Sequence, residues 1–426
     1  MSKLSLSVLA TAMAISVSGV ALAEQIAITG ATVHTMAEQG TLDNATVFIR
    51  HNKIEKVVAG DVKVPTDYRV IDGRGKVVTP GLIGAYTSLG LVEVPSWAGI
   101  NDSGVSKAGI SAALDASDAI TPDTSLRDVT RIEGFTSAAS ALSSVDAMFK
   151  GRGAIITLGN DDMPVRKKHA YMVVDLSSSG AHYSGGSRAA MWGQFKAALE
   201  EAKYASNFNF TPQTEWHGSL SKADAKALVP VLNGDMPLLV SIHRAPDIRR
   251  LIELKSDYPK LDITLVGATE AWRVADDIAR AGFEVIINPE FNLPSSFDQN
   301  GATLANAARL EQAGVDVAIG MGSHNIRLAT QNAGNAVTHG LSWQAGLASL
   351  TTVPAKIYGI DDLVGRLKAG MQADIVVWQG DPLEVMVAPE HVIINGEEVR
   401  LESRQTKLRD RYLNLDSDKP MQYTRP

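Results

Sequence analysis

Strand-like segments of one kind lie near both ends of this 426-residue chain and enclose a long middle section. Residues 25–79 contain short runs rich in β-branched residues with turns between them, and residues 373–378 and 392–396 have the same character. Strands so distant in sequence share one sheet only if the section between them forms a unit of its own. The sequence therefore predicts a small β-sandwich built from residues 24–79 and 363–403.

The middle section, residues 80–362, alternates predicted strands with predicted helices. Apolar runs typical of buried strands occupy residues 236–242, 262–266, 284–288 and 316–320, and weaker ones lie near 134–142, 151–158 and 169–176. Residues 187–205 repeat large apolar side chains at helical spacing, and Thr269 is expected to cap a helix that Gly282 ends. Repeated strand–helix units over this length favour a TIM-like (β/α)8 barrel over an open sheet, and hence an α/β fold.

Residues 80–90 (PGLIGAYTSLG) stand at the predicted start of the first barrel strand. They resemble a segment that reads P-G-x-I-D-x-H-x-H in the amidohydrolase superfamily. Three more segments resemble family motifs in the family's order: residues 134–136 (GFT), 351–360 (TTVPAKIYGI) and 364–374 (VGRLKAGMQAD). The chain therefore resembles that superfamily, in its exported branch of imidazolonepropionase-like and prolidase-like members. The resemblance implies a hydrolase of carbon–nitrogen bonds with its site at the C-terminal mouth of a TIM-like barrel.

Members of that superfamily hold one or two divalent metals, and the resemblance places three of the implied ligand positions on unsuitable residues. Tyr86 and Ser88 stand where the two histidines of the first strand belong, and Gly322 stands where an aspartate follows the eighth strand. Neutral hydroxyls are poor substitutes for imidazole, and zinc normally takes three or four nitrogen, oxygen or sulfur ligands. We therefore predict that the usual two-metal centre is lost.

The remaining candidate ligands would hold at most one divalent metal such as zinc. The alternative is that the site holds no metal. His243 matches the histidine after the fifth strand, and His324 lies two residues after Gly322. Asp175 is the carboxylate offered near the fourth strand, and Glu270 follows the sixth strand, which lacks a histidine. Two histidines and one carboxylate would satisfy zinc. A single histidine in such a mouth is otherwise a hydrogen-bonding pocket residue.

Two functions remain open at this point. For a hydrolase, His243 and His324 would bind metal or move protons, and Tyr86 would donate a hydrogen bond to the developing oxyanion. The residues expected to bind substrate are Arg244, Arg327, Ser88 and Glu270. A metal-free route would use Ser88 as a nucleophile beside one of the histidines. The other function is that of a catalytically inactive relative that binds a small ligand or a protein partner.

Residues 1–23 have the pattern of a cleaved signal peptide. Lys3 precedes an apolar stretch, and residues 21–23 (ALA) fit a cleavage site. A membrane anchor is the competing interpretation, but the apolar run is short and is interrupted by serines and Gly19. The chain contains no cysteine, so lipid attachment at cysteine and disulfide bonds are excluded. We expect a periplasmic or secreted protein with no membrane attachment after cleavage.

The charge balance argues against nucleic acid as a partner. The chain has 40 lysines and arginines against 47 aspartates and glutamates, a formal net charge of −7. Mild acidity disfavours binding to nucleic acid or to an anionic membrane surface. We expect a small-molecule substrate or ligand, and leave self-association into a homo-oligomer open. Residues 404–426 are expected to form a charged C-terminal tail.

Overall fold

A computed structural model describes residues 25–94, 101–208, 213–291, 293–320 and 322–413. The predicted signal peptide at residues 1–23 lies outside these ranges, as do residues 414–426 of the predicted tail. Within these ranges, no helix has the length and apolar character needed to cross a membrane.

Strands and helices are numbered along the described part of the chain. The strands are β1 (Ile26–His34), β2 (Thr41–Arg50), β3 (Lys53–Ala59), β4 (Arg69–Asp72), β5 (Val77–Pro80), β6 (Leu82–Thr87), β7 (Gly104–Val105), β8 (Phe135–Ser140), β9 (Ser144–Val145), β10 (Phe149–Thr157), β11 (Val165–Asp175), β12 (Leu238–Ile242), β13 (Ile263–Gly267), β14 (Glu284–Ile287), β15 (Val317–Ile319), β16 (Ile375–Trp378), β17 (Pro389–Ile394) and β18 (Glu397–Glu398). The α-helices are α1 (Ser125–Arg131), α2 (Ser178–Tyr183), α3 (Arg188–Ser206), α4 (Lys222–Asn233), α5 (Ala245–Asp257), α6 (Ala275–Ala281), α7 (Asn306–Gln312), α8 (Ala329–Thr338), α9 (Trp343–Ala348), α10 (Thr352–Ile357) and α11 (Arg404–Leu413). Short 3-10 helices occupy Ala116–Asp118, Ala271–Val274 and Phe297–Gln299.

An eight-stranded sheet in the order β15-β14-β13-β12-β11-β10-β8-β6 forms the barrel. Its two outer strands approach each other at one end. A parallel bridge joins Thr87 to Ser323, and the amide of Gly322 donates to the carbonyl oxygen of Tyr86 at 3.1 Å. The sheet therefore nearly closes, and the predicted TIM-like α/β fold is confirmed.

The third barrel strand departs from the expected strand–helix repeat. β10 runs antiparallel to both β8 and β11, with Ala154 opposite Ser140 and Gly153 opposite Tyr171. Only residues 158–164 connect β10 to β11, and a connection this short joins antiparallel strands, because a parallel neighbour needs a longer crossover. The beginning of β10 consequently lies at the same end of the barrel as the C-terminal ends of β8 and β11.

The later strands match their predictions closely, whereas one predicted helix cap is wrong. β12 to β15 lie within two residues of the predicted runs, and α3 covers the predicted helix at residues 187–205. Gly282, at φ 69°, ends α6 as expected. Thr269 does not cap that helix, because its hydroxyl contacts the ring of His243 and a 3-10 helix begins after Glu270 without a side-chain cap.

Tyrosine side chains fill part of the barrel interior. Tyr171 on β11 lies over Gly153 of β10, where an added Cβ would be 2.1 Å from the tyrosine Cζ. Its ring centroid is 4.9 Å from that of Tyr358, which follows α10, and the Tyr358 hydroxyl donates to the carbonyl oxygen of Ala85 on β6. Both tyrosines are completely buried, so this layer packs the barrel below its mouth.

The second large sheet combines strands from distant parts of the chain. β5 pairs antiparallel with β16, and the sheet continues on either side to β3 and β18. β3 also contacts the segment before β16, since the amide of Ile54 donates to the carbonyl oxygen of Met371 at 2.9 Å. The sheet thus folds over a core of its own, formed by residues of β1, β2, β5 and β16 together with Leu367.

Trp378 at the end of β16 joins this sheet to the barrel. Its indole N–H donates to the hydroxyl of Thr79 at 2.9 Å, and its ring covers Gly134 just before β8. Gly134 has φ 88°, and an added Cβ there would be 2.6 Å from the indole. The glycine of the predicted turn at residues 134–136 is therefore required both for its backbone conformation and for this close packing.

Candidate active site

The C-terminal end of β11 places a buried carboxylate at the barrel mouth. Asp175 is the last residue of β11, and the residue as a whole is 7% exposed. Its Oδ1 accepts hydrogen bonds from the amide of Ser177 at 3.0 Å and from the hydroxyl of Ser177 at 2.6 Å. The turn after the strand therefore fixes the carboxylate and leaves Oδ2 facing other groups of the mouth.

His243, directly after β12, lies on the neighbouring strand end. An added Cβ on Gly267 of β13 would be 2.5 Å from Cε1 of the ring, so the imidazole packs closely against that glycine. Nδ1 lies 2.9 Å from the hydroxyl oxygen of Thr269. Burial lowers the pKa of His243 below its ordinary 6.5, and the carboxylates of Asp298 and Asp175 oppose this change. The ring is therefore mostly neutral at pH 7 and suited to accept a proton.

Tyr86, near the end of β6, shares this environment. Burial raises the pKa of Tyr86, and the negative charge of Asp175 raises it further. The phenol therefore keeps its proton and acts as a hydrogen-bond donor. Tyr86, Asp175 and His243 all lie at or directly after the C-terminal ends of barrel strands, so the structure places these three predicted residues at one mouth, where Asp175 acts on the pKa of the other two.

Lys150 also belongs to the mouth, and the sequence did not single it out. It lies at the beginning of β10, and its ammonium is 3.6 Å from Oδ2 of Asp175. The two side chains are only 11% and 10% exposed. A charged residue between Phe149 and Gly151 in an apolar strand was the available signal. Its meaning depended on the antiparallel direction of β10, which local patterns do not reveal.

Ser88, Gly322 and His324 lie where β6 approaches β15. The amide of Ser88 donates to the carbonyl oxygen of Ser323 at 3.4 Å, and the residue is buried. Gly322 has φ 59°, and an added Cβ would be 3.9 Å from the ring of Tyr86. His324 is half-buried in the turn that follows. Ser88 and Gly322 thus help to close the barrel through their backbones.

Glu270 and Arg244 line a cavity of about 430 Å³ beside His243. Glu270 is buried, and its carboxylate accepts from the amides of Ala245 at 3.1 Å and Gly301 at 3.0 Å. Arg273 donates to the same carboxylate at 3.3 Å. These donors make Glu270 a fixed link between the loops after β12, β13 and β14. Arg244 is half-exposed and faces the cavity.

Arg188 and Asp298 line the same cavity and were not predicted. The guanidinium of Arg188 pairs with Asp298 and lies 3.3 Å from Asp247. Burial alone would raise the pKa of Asp298, but hydrogen bonds from Ser178 and the charge of Arg188 hold it below its usual value. Asp298 is therefore ionised and contributes to the field around His243.

Arg327 lies in a different environment from the other predicted substrate-binding residues. It is exposed in the turn before α8. Burial raises the pKa of Glu133, and the charge of Arg327 opposes that rise. Glu133 precedes β8, at the opposite end of that strand from the mouth. Among the described residues, no hydrogen bond or ion pair joins Arg327 to Asp175 or His243.

The family resemblance implies a divalent metal at the mouth, which would need several nitrogen or oxygen ligands there. Across the described ranges, no group of three or more histidine, cysteine, aspartate or glutamate side chains is placed to hold a metal ion. The mouth instead contains the neutral phenol of Tyr86 and the ammonium of Lys150 beside Asp175. An adjacent ammonium disfavours a second cation, so these residues do not fit such a metal.

Comparison with known proteins finds amidohydrolase relatives for part of the chain. Residues 260–399 match the family model described as "Amidohydrolase family". The chain is 52% identical over 58 residues to "Amidohydrolase tasK" of Hapsidospora irregularis, a match that covers 14% of this chain and 6% of that protein. The chain thus spans well under two thirds of the length of this curated relative.

Solved structures share the fold over most of the chain. An amidohydrolase from Thermotoga maritima MSB8 has a TM-score of 0.77 at 22% identity, covering 88% of this chain and 99% of its own. A prolidase complexed with N-methylphosphonate-L-proline has a TM-score of 0.53 at 19% identity, covering 88% and 99%. A Xaa-Pro dipeptidase with bound methionine has a TM-score of 0.54 at 15% identity, covering 88% and 100%. At these identities the likeness concerns the fold. The match to the family model is confined to residues 260–399.

Proposed function

We propose that this protein is a hydrolase that cleaves the carbon–nitrogen bond of a small amide, including dipeptide-like amides, with a degenerate metal centre. One observation carries the proposal: His243, Tyr86 and Asp175 lie at the C-terminal strand ends that form the mouth of an amidohydrolase-type barrel, where burial favours a neutral imidazole and a protonated phenol. The family match at residues 260–399 supports hydrolysis. Prolidase and Xaa-Pro dipeptidase among the similar folds favour dipeptide-like substrates.

The three residues account for the steps of amide hydrolysis. His243 accepts a proton from water as the water oxygen bonds to the carbonyl carbon, and the carbonyl electron pair moves to oxygen. The hydroxyl of Tyr86 donates a hydrogen bond to this oxyanion. Asp175 stabilises the protonated imidazole through its charge. When the carbon–nitrogen bond breaks, the nitrogen takes the proton from His243, and the products are a carboxylic acid and an amine.

The test is a survey of amide substrates with purified protein corresponding to residues 24–426. Dipeptides including Xaa-Pro, N-acyl amino acids and cyclic amides are incubated with protein that has been treated with EDTA, and released amine or ring opening is measured. We expect turnover of at least one class. His243→Ala should abolish it, and Tyr86→Phe should lower kcat about 100-fold. His217→Ala, a change in an exposed histidine, is the control and should have no effect. Full activity of the His243 variant would contradict the mechanism.

We also propose that the protein is exported. This proposal rests on residues 1–23 of the sequence, with Lys3, the apolar stretch and the small residues at 21–23. N-terminal sequencing of protein from a periplasmic fraction should begin at Glu24. Recovery of the uncleaved chain in the cytosol would contradict it.

A second candidate function is ligand binding without turnover. Tyr86, Ser88 and Gly322 at positions implied to hold metal ligands favour it. In that case, no amide in the survey would be cleaved, but one class would raise the melting temperature of the protein. The His243→Ala variant would lose this shift, whereas His217→Ala would keep it.

A further inference from the structure

The antiparallel direction of β10 brings a lysine to the barrel mouth. The first residues of β10 lie beside the last residues of β11, so that Lys150 approaches Asp175. Asp175 occupies the end of the fourth barrel strand, counted from β6. A buried positive charge therefore stands at the same end of the barrel as Tyr86 and His243.

The contacts of Lys150 leave hydrogen-bonding capacity for a ligand. An ammonium group has three N–H donors. One donates to the carbonyl oxygen of Val145 at 2.7 Å. Oδ2 of Asp175, at 3.6 Å, is at ion-pair distance but beyond a good hydrogen bond. The ring of Tyr183 lies beneath the ammonium with its centroid 5.0 Å away. These contacts within the described residues orient the group without using all of its donors.

Burial makes this charge effective. Lys150 is 11% exposed, and charges separated from water interact more strongly than charges at the surface. Burial lowers the pKa of Lys150, while Asp175 and Asp146 oppose the change. The ion pair of Lys150 and Asp175 also contributes little to the stability of the fold. Moving two charged groups out of water costs roughly several kcal/mol, which their mutual attraction must first offset. A functional use of the charge explains its position.

We propose that the ammonium of Lys150 supplies the positive charge of this mouth in place of a divalent metal, and that it binds the carbonyl oxygen of the substrate. The second part rests on the proposed hydrolase function, whereas the first part does not. Lys150 and Tyr86 would then be the two donors to the oxyanion, and a divalent cation would be excluded by repulsion from the ammonium.

Zinc binding tests the first part without any substrate. Protein dialysed against EDTA and then against buffer is titrated with zinc chloride in a calorimeter. The wild type and Lys150→Arg should bind no stoichiometric zinc. Lys150→Gln removes the charge and should bind zinc at least tenfold more tightly than the wild type, a gain that Asp175→Asn should abolish in the double variant. Lys167→Gln is the matched control, because Lys167 also donates to a backbone carbonyl oxygen, that of Tyr358 at 2.7 Å, but it lies early in β11, away from the mouth.

Two zinc results would overturn the proposal. One is that the wild type binds one zinc ion and the Asp175→Asn variant binds none. The other is a folded Lys150→Gln variant, checked by circular dichroism, whose zinc affinity equals that of the wild type. If Lys150→Gln does not fold, the comparison of the wild type with Asp175→Asn still decides whether the mouth holds a metal.

Kinetics test the second part on an amide that the EDTA-treated wild type cleaves. Lys150→Gln should lower kcat about 100-fold with a much smaller change in KM, Lys150→Arg should retain more activity, and Lys167→Gln should leave kcat unchanged. Unchanged kcat in Lys150→Gln would refute the role of Lys150 and leave the hydrolase function standing. If the wild type cleaves no amide, the hydrolase function and the carbonyl-binding role fail together, and the zinc titration decides the first part alone.

Discussion

Two buried tyrosines offer a sharp test of how hydrogen bonding contributes to this barrel. Tyr171 and Tyr358 are both 0% exposed, and their rings are in contact. The hydroxyl of Tyr358 donates to the carbonyl oxygen of Ala85, whereas the hydroxyl of Tyr171 has no hydrogen-bond partner among the described residues. Replacing either tyrosine with phenylalanine removes the same single atom from the same interior.

The two substitutions should therefore have different effects on the free energy of unfolding. Tyr358→Phe leaves a buried acceptor without its donor and should destabilise the protein by about 1–3 kcal/mol. Tyr171→Phe removes a hydroxyl that is already without a partner, so its effect should lie between zero and a gain of about 1 kcal/mol. The two variants should differ by at least about 1 kcal/mol.

Urea unfolding followed by tryptophan fluorescence and circular dichroism measures this difference. Tyr412→Phe, a change at a side chain that is 55% exposed, is the control and should shift stability by less than about 0.5 kcal/mol. Equal losses in Tyr171→Phe and Tyr358→Phe would refute the reasoning. Such a result would mean that the Tyr171 hydroxyl is hydrogen-bonded after all, for instance to an ordered water.

Three further predictions concern packing, pH and the loops of the mouth. Gly153→Ala places a Cβ against the Tyr171 ring and should cost about 1–3 kcal/mol or more in urea unfolding, whereas Gly193→Ala in α3, where an added Cβ meets nothing within 4 Å, should gain about 0.5–1 kcal/mol. Burial lowers the pKa of His243, so the unfolded chain binds a proton at this residue more readily than the folded protein does. The contribution of His243 to the free energy of unfolding should therefore be fully present above pH 6.5 and should be lost as the pH falls through the lowered pKa. His243→Gln should remove that contribution, as measured by unfolding at a series of pH values. Glu270→Ala should cost about 1–3 kcal/mol and increase tryptic cleavage after Arg273, since two buried amides and one guanidinium lose their acceptor.

Local patterns sufficed to predict the strands of the second half of the barrel. The runs that became β12 to β15 are short, apolar and bounded by turn residues, so each shows its structure without reference to the rest of the chain. The positions of Tyr86 and His243 at the mouth follow from the same reasoning, since both lie at or just after the end of a parallel strand.

Features that depend on distant pairing were not predictable in the same way. The direction of β10 is set by the short connection to β11 and by ladders to both neighbours, and nothing within residues 149–157 encodes it. The pairing of Lys150 with Asp175 follows only from that direction. The role of Glu270 likewise required the loop at Gly301, which approaches it from another strand end. Thr269 was predicted as a helix cap, but its contact with His243 replaced that role.

The pairing of β5 with β16 has a consequence for the order of folding. When residues 77–80 emerge during synthesis, their neighbour at residues 375–378 is almost three hundred residues away from being made. Until then, one side of β5 exposes unpaired backbone groups that could associate with another chain. Premature release of the polypeptide before β16 should thus yield a fragment that aggregates, even when its barrel is complete.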